Sequence, residues 1–307
     1  MKERIIIDTD VGDDIDDALA LALAINSPEL ELLGVTTVYK NTLARARLAS
    51  WILTQNDVRI PVVPGKRMPI SKQRIMQVNL DEMPCQYTEA MDCTATMQDT
   101  DAVSFLKAVL QQEEKPVTVV TLGALTNIAV LLQRHPEIQR KIKRIVMMGG
   151  AYFSHIKEYN ISCDPEAARI VFQSSVEILA VGLDVTLQCR LTEAQVQSLL
   201  NCHSKTACMV GKLINSYRQH HSGAEIFLHD AAAVAAVFRP DLISFKPQRI
   251  EVETEGVVTS GMTFNVSANE WWKEEQASHV RVASAINKDA LISLFLSRIT
   301  SETHNNF

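Results

Sequence analysis

Short apolar runs alternate with stretches of helical period over the first two thirds of the chain. Strand-like runs occupy 4–8, 32–38, 60–63, 117–122, 144–148 and 176–183, and helical patterns occupy 17–25, 43–55, 102–112, 127–133 and 165–172 between them. This succession predicts an α/β fold: an open, mostly parallel, Rossmann-like sheet with crossover helices on both faces. The last third changes character. Helical segments at 192–200, 205–220 and 230–237 precede strand-like 250–254, 257–266 and 280–286, and a final helix at 289–299 runs into a polar tail expected to be loose.

No Pro/Gly/Ser-rich linker, charge block or internal repeat divides the chain, so a single domain over 1–307 is expected. Residues 68–101 are rich in Met, Gln and Thr and have no clear period. A loop that long inside a compact domain tends to be functional or mobile. Both a flap over a site and a surface excursion fit it.

Composition narrows the partners. The chain is 47% hydrophobic and 21% charged, with a formal net charge of −6 and a pI of about 5.8. No basic stripe is present, which argues against nucleic acid or an anionic membrane as partner. There is no apolar run of spanning length and no signal-peptide layout at Met1-Lys2-Glu3-Arg4, so a cytoplasmic protein is expected. Six cysteines (Cys85, Cys93, Cys163, Cys189, Cys202 and Cys208) lie scattered without a C-x-x-C pair, which suits reduced thiols better than a zinc site or a disulfide scaffold.

The candidate chemistry begins behind the first strand. Residues 8–17 place six carboxylates, those of Asp8, Asp10, Asp13, Asp14, Asp16 and Asp17, between the apolar run Ile5-Ile6-Ile7 and an Ala/Leu-rich helix. The carboxyl end of a strand is where open α/β sheets put their ligands. Two unit charges at about 4 Å interact by about 4 kcal/mol at an effective dielectric of about 20, so these anions need a cation or must take up protons. The cluster is therefore read as a divalent-metal site. Taken singly, Asp16 and Asp17 could pass as helix caps and Asp13 and Asp14 as a solvated turn. Other polar groups stand at element boundaries: Gly123-Ala124-Leu125-Thr126-Asn127, Met147-Met148-Gly149-Gly150 and His229-Asp230. Alone, Thr126-Asn127 and His229-Asp230 would also read as caps.

Together these segments resemble the nucleoside hydrolases, the inosine-uridine preferring nucleoside N-ribohydrolases. The resemblance covers nearly the whole chain: Asp8-Thr9-Asp10 with Asp16-Asp17-Ala18-Leu19, Gly34-Val35-Thr36-Thr37-Val38 with Asn41, Leu125-Thr126-Asn127-Ile128-Ala129, Met147-Met148-Gly149-Gly150-Ala151, Glu158-Tyr159-Asn160-Ile161 with Asp164-Pro165-Glu166-Ala167-Ala168, and His229-Asp230-Ala231. It implies the nucleoside hydrolase fold and calcium-dependent cleavage of ribonucleosides to ribose and free base, a reaction of nucleoside catabolism and salvage. Carried over residue by residue, it implies that Ca²⁺ is held by Asp10, Asp17, Asp230 and the Thr126 carbonyl, with Asp10 also the base that activates the metal's water. Asp16, Asn41, Glu158 and Asn160 are implied as the ribose clamp, with Met148 against the sugar and Asp8 behind the ligands orienting the loop. His229 is the candidate proton donor to the leaving base. The resemblance also implies a homodimer or homotetramer.

This chain departs from the family pattern in places. The acidic loop is about two residues longer, with Val11 where proline is common, which leaves Asp14 as an alternative ligand; the loop between Gly150 and Glu158 is short, and a His-Gly pair is missing from 68–101. Purine or pyrimidine preference therefore does not carry over. Tyr217, Phe227, Trp271 and Trp272 are candidates for base stacking or plain packing. Two other readings stand beside this one. Asp8-Thr9-Asp10-Val11-Gly12 is also similar to the opening of the haloacid-dehalogenase-like, Mg²⁺-dependent phosphatases, with Asp8 as nucleophile; and the same fold could serve a non-catalytic nucleoside-binding protein.

Overall fold

The structure is a computed structural model that describes residues 2–266 and 278–301. Trp271, Trp272 and the polar tail lie outside the described residues. β1 (Glu3–Thr9) leads into α1 (Asp16–Ile25), β2 (Leu30–Thr37) into α2 (Thr42–Gln55), and β3 (Val62–Pro64) into an irregular segment carrying the one-turn α3 (Lys72–Ile75). α4 (Ala102–Gln112), β4 (Val117–Thr121), α5 (Thr126–Arg134), β5 (Ile142–Met148), α6 (Tyr159–Cys163), α7 (Pro165–Phe172) and β6 (Ile178–Val181) follow. Beyond them come α8 (Leu183–Thr186), β7 (Arg190–Leu191), α9 (Glu193–Leu200), α10 (Lys205–His220), β8 (Ile226–Phe227) and α11 (His229–Phe238). The path ends with β9 (Ile243–Pro247), β10 (Ile250–Val252), β11 (Thr263–Asn265), β12 (Val280–Ile286) and α12 (Lys288–Thr300).

The main sheet runs β3-β2-β1-β4-β5-β6-β12-β9, parallel throughout except for the antiparallel β9–β12 pair at one edge. The expected α/β architecture is therefore what forms. Ile5, Ile6 and Ile7 of β1 are all fully buried, because Ile5 and Ile7 join the core on one face and Ile6 the core on the other. The first core is filled by α1, α2, α10, α11 and α12, the second by α4, α5 and α7. Strand order reverses between β1 and β4, and the crevice beyond their carboxyl ends is the topological switch point.

α1 and α11 are buried along almost their whole length and pack on each other in the first core, to which both contribute several alanines. A helix apolar all round is stable only inside a protein. Small side chains suit a close approach of two helices, and the first turns of these two meet at Asp16, Asp17 and Asp230.

Two strand expectations are corrected. Of 257–266 only Thr263–Asn265 forms a strand, paired with β10; Val257 and Val258 stand in the connecting turn, 97% and 77% exposed. Gly256 and Gly261, the latter at φ +91°, set a turn that overrides the β-propensity of the two valines. The run at 176–183 is a strand only to Val181, because Leu183 opens α8. β9, α6 and α8 carry too short a pattern to be read in advance. Ala232→Leu, overpacking a fully buried position of α11 in the first core, is expected to destabilise the protein by about 1–3 kcal/mol, measured as a lower urea midpoint.

Candidate active site

The acidic loop leaves β1 at the switch point and enters α1, so the crevice between β1 and β4 opens onto carboxylates. Gly123, just after β4, permits this: a Cβ there would stand 2.7 Å from Asp10 Oδ1 and 2.9 Å from the Asp10 nitrogen. A cavity of about 580 Å³ lies above the loop, lined among others by Asp10, Asp14, Asp16, Asp17, Asp230 and His229. That volume suits a small organic ligand.

Asp16 and Asp17 open α1, and Asp230 is the second residue of α11. In neither helix does the N-cap side chain, Ile15 or Leu228, cap the first turn, and the Asp16 carboxylate accepts from the amides of Asp16 and Asp17. Carboxylate oxygens of Asp16, Asp17 and Asp230 lie within 4.8 Å of one another, all three side chains buried. One Ca²⁺ with oxygens at about 2.3–2.6 Å would span such a separation. Asp230 Oδ1 has no hydrogen-bond partner, and Asp17 Oδ1 accepts from the Thr9 hydroxyl. A hard cation fits this all-oxygen set, and Asp16, Asp17 and Asp230 are the groups that would hold it. Helix dipoles directed at one point favour the same negative charges, though by no more than about 2 kcal/mol each.

Burial dominates the electrostatics. It pushes Asp8 up to about 7 and Asp10 up to about 6, and raises Asp16, Asp17 and Asp230 well above the carboxylate range, with repulsion among the acids adding to it. Arg45 opposes the rise at Asp10 and Asp17. His229 is pushed down by burial, against the opposing pull of Asp14; its Nδ1 pairs with the Thr186 hydroxyl at 2.8 Å and its ring stacks on Phe227.

The other expected residues divide. Met148, Glu158 and Asn160 line the cavity. Glu158 caps α6 and accepts from the amides of Gly150, Asn160 and Ile161 at 3.0, 2.7 and 2.9 Å. Asn160 Nδ2 donates to the Leu122 and Met148 carbonyls at 2.8 and 3.1 Å. Asp8 sits behind the cavity, fully buried, its Oδ1 accepting from Thr36 at 2.5 Å and Asn127 at 2.7 Å. Asn41 caps α2 and reaches Met83; it is not among the lining residues. Thr126 opens α5 and its hydroxyl donates to Asp164, while Leu122 is the residue after β4 that borders the cavity. Tyr217 lines the cavity and stacks on His221, whereas Phe227 supports His229 from outside the lining.

Residues 68–101 prove to be a wall of the site. Glu82, Met83 and Cys85 line the cavity, the Gln86 amide donates to the Gly12 carbonyl at 2.9 Å, and the Cys85 thiol donates to the Asp13 carbonyl at 3.0 Å. Arg45 was not read from sequence as a site residue. Its signal was there: it shares a core-facing stripe with Leu48, Ala49 and Ile52 at spacings of three, four and seven, where a buried cation needs a reason.

Comparison with known proteins places the fold. The plant nucleoside hydrolase PpNRh1 superposes with a TM-score of 0.85 at 28% identity, covering 98% of this chain and 100% of that one. A purine-preferring ribonucleoside hydrolase from Gardnerella vaginalis gives 0.83 at 29% identity, covering 97% and 98%. Fold and site thus define a hydrolase of N-glycosidic bonds. The family model for inosine-uridine preferring nucleoside hydrolase matches residues 5–293, and the chain belongs to that family. It is 36% identical over 278 residues to the pyrimidine-specific ribonucleoside hydrolase RihA of Enterobacter sp. (strain 638), covering 86% of this chain and 88% of the relative. It is likewise 36% identical over 271 residues to the non-specific ribonucleoside hydrolase RihC of Escherichia coli, again covering 86% and 88%. The phosphatase alternative falls with this, since Asp8 is sealed behind the cavity and cannot attack a substrate. Family membership also sets aside the non-catalytic alternative. No helix among the described residues is long and apolar enough to cross a membrane.

The raised carboxylates make stability depend on pH. Asp8 and Asp10 ionise near 3.8 when unfolded and near 7 and 6 when folded, so their favourable contribution is complete below about pH 4 and is lost as pH rises through 6 to 7. Chelator-treated protein is therefore expected to show this contribution to its melting temperature fall between pH 5 and 8. Added Ca²⁺ should raise the melting temperature more at pH 8 than at pH 5.

Proposed function

We propose that the protein hydrolyses ribonucleosides to ribose and free base with a calcium ion seated at the converging N-termini of α1 and α11. The observation that carries this reading is the buried Asp16, Asp17 and Asp230 trio, with Asp230 Oδ1 unpartnered, on the floor of a cavity that Asp10 also lines. Asp16, Asp17 and Asp230 would hold the ion, with Asp10 beside them on the cavity wall. Bound there, Ca²⁺ would neutralise the acids, engage the sugar's vicinal hydroxyls and make a coordinated water more acidic.

The remaining chemistry belongs to side chains. Asp10 is raised by burial and opposed by Arg45; a cation beside it would favour its ionised form, which accepts the proton of the attacking water. The transition state carries positive charge on the sugar ring, and the surrounding carboxylates stabilise it more than they stabilise the neutral substrate. A carboxylate offers about four acceptor positions. On Glu158 these positions go largely to main-chain amides, those of Gly150, Asn160 and Ile161 among them, so its chief work is to shape the 149–161 loop. Both Nδ2 protons of Asn160 are spent on carbonyls, which leaves its Oδ1 as acceptor. In the tautomer whose Nδ1 accepts from the Thr186 hydroxyl, the neutral His229 ring carries its proton on Nε2, and this reading assigns that proton to the departing base. A cytoplasmic homodimer or homotetramer belongs to the same reading, and light scattering checks the assembly.

The test is a turnover panel of inosine, adenosine, guanosine, uridine and cytidine, with and without a calcium chelator. Ribose release from at least one of them, suppressed by the chelator and restored by Ca²⁺, is expected; no release from any, with Ca²⁺ bound, would overturn the proposal. Asp10→Ala is expected to lower kcat by about 10²–10⁴-fold, while Asp14→Ala, at the exposed turn of the loop, costs far less. An equal collapse in both would move the base to a different aspartate.

A further inference from the structure

Arg45 projects from α2 with no exposure at all, and each nitrogen of its guanidinium has a partner. Its Nε donates to the Tyr39 carbonyl at 2.9 Å, Nη1 to the carbonyls of Asp10 and Val11, and Nη2 to Asp13 Oδ2 at 2.8 Å. These partners lie on two different loops. One is the acidic loop after β1. The other is the turn after β2, where Tyr39 and Lys40 are held at φ 66° and 57°, consecutive left-handed conformations that non-glycine residues adopt only under constraint. The Lys40 ammonium then reaches back to Asp13 at 3.3 Å and across to Glu82 on the cavity wall at 3.2 Å.

We propose that Arg45 is a positioning residue for the reaction: its guanidinium splices the acidic loop to the 39–41 turn and, through Asp13 and Lys40, to the 82–86 wall, so that the Asp10 carboxylate is presented to the cavity in one orientation. The fork geometry is what does this. Two nitrogens of a planar cation, Nε and Nη1, meet the main-chain oxygens of Tyr39, Asp10 and Val11, which no single ammonium reproduces. Asp13, one of the residues by which the loop is extended, locks the fourth contact.

This inference rests on the hydrolase reading above, and the experiment separates the two. Arg45→Lys and Asp13→Asn are compared with the wild type in three measurements: circular dichroism with thermal melting, calorimetric titration with Ca²⁺ alone, and kcat and KM on the best nucleoside of the panel. For Arg45→Lys a fall in kcat of about 10²-fold is expected, the size of effect that misplacing a reacting group by about 1 Å produces. KM should change by less than about threefold, and the Ca²⁺ dissociation constant should rise at least about fivefold, because Asp10 flanks the ion. Asp13→Asn, removing a half-exposed carboxylate, should move kcat and Ca²⁺ affinity in the same direction by a smaller factor, and it decides the matter if Arg45→Lys does not fold. Folded variants with lower melting temperatures but kcat and Ca²⁺ affinity within about twofold of the wild type would reduce Arg45 to a structural role and overturn the proposal. A wild type that neither binds Ca²⁺ nor releases ribose would overturn the hydrolase reading, and this proposal with it.

Discussion

Like-charge repulsion among buried aspartates is the constraint around which this molecule is arranged. Asp10, Asp16, Asp17 and Asp230 are each almost wholly withdrawn from water, and each raises the cost of ionising the others. Folding alone would not collect them, because desolvating several anions opposes it. They are tolerable because two helix N-termini, one internal arginine and, on the reading proposed here, a divalent cation share the opposite sign.

The rest of the fold serves that arrangement. A parallel sheet buried on both faces gives β1 and β4 fixed carboxyl ends, and the switch between them leaves a crevice. Alanine-rich packing brings α1 and α11 close enough for their first turns to share one site, and the bare Gly123 leaves room for Asp10. The supporting polar groups form a second layer. Asp8 ties Thr36 to Asn127, and Asp164 collects the amides of Ile70, Ser71 and Ala167 with the Thr126 hydroxyl, joining the loops that surround the cavity.

Much of this was legible in the chain. The periodicity of strands and helices marked the α/β sheet, and the clustering of acids behind Ile5-Ile6-Ile7 marked the site, because both signals are local. Elements of two to five residues, such as α6, α8 and β9, carry too few positions to display a period. Val257 and Val258 misled because a Gly-bounded turn outweighs side-chain propensity. Asn41 and Thr126 show a different limit: motif spacing located the right loops without saying which atoms of those loops border the cavity.

What the sequence determined by itself was the inventory: six carboxylates in ten positions, a histidine and aspartate at the head of a small-residue helix, and the order of elements that carries them. What only the tertiary structure decided was who meets whom. Residues 17 and 230 are more than two hundred positions apart, and their approach depends on how closely two apolar helices can pack. The stripe on α2 points Arg45 inward without saying what it meets, and residues 68–101 are patternless until the Gly12 and Asp13 carbonyls accept from the Gln86 amide and the Cys85 thiol. Local pattern reports local free energy; the contacts that make this site are long-range, and their free energy exists only once the sheet has brought the loop ends together.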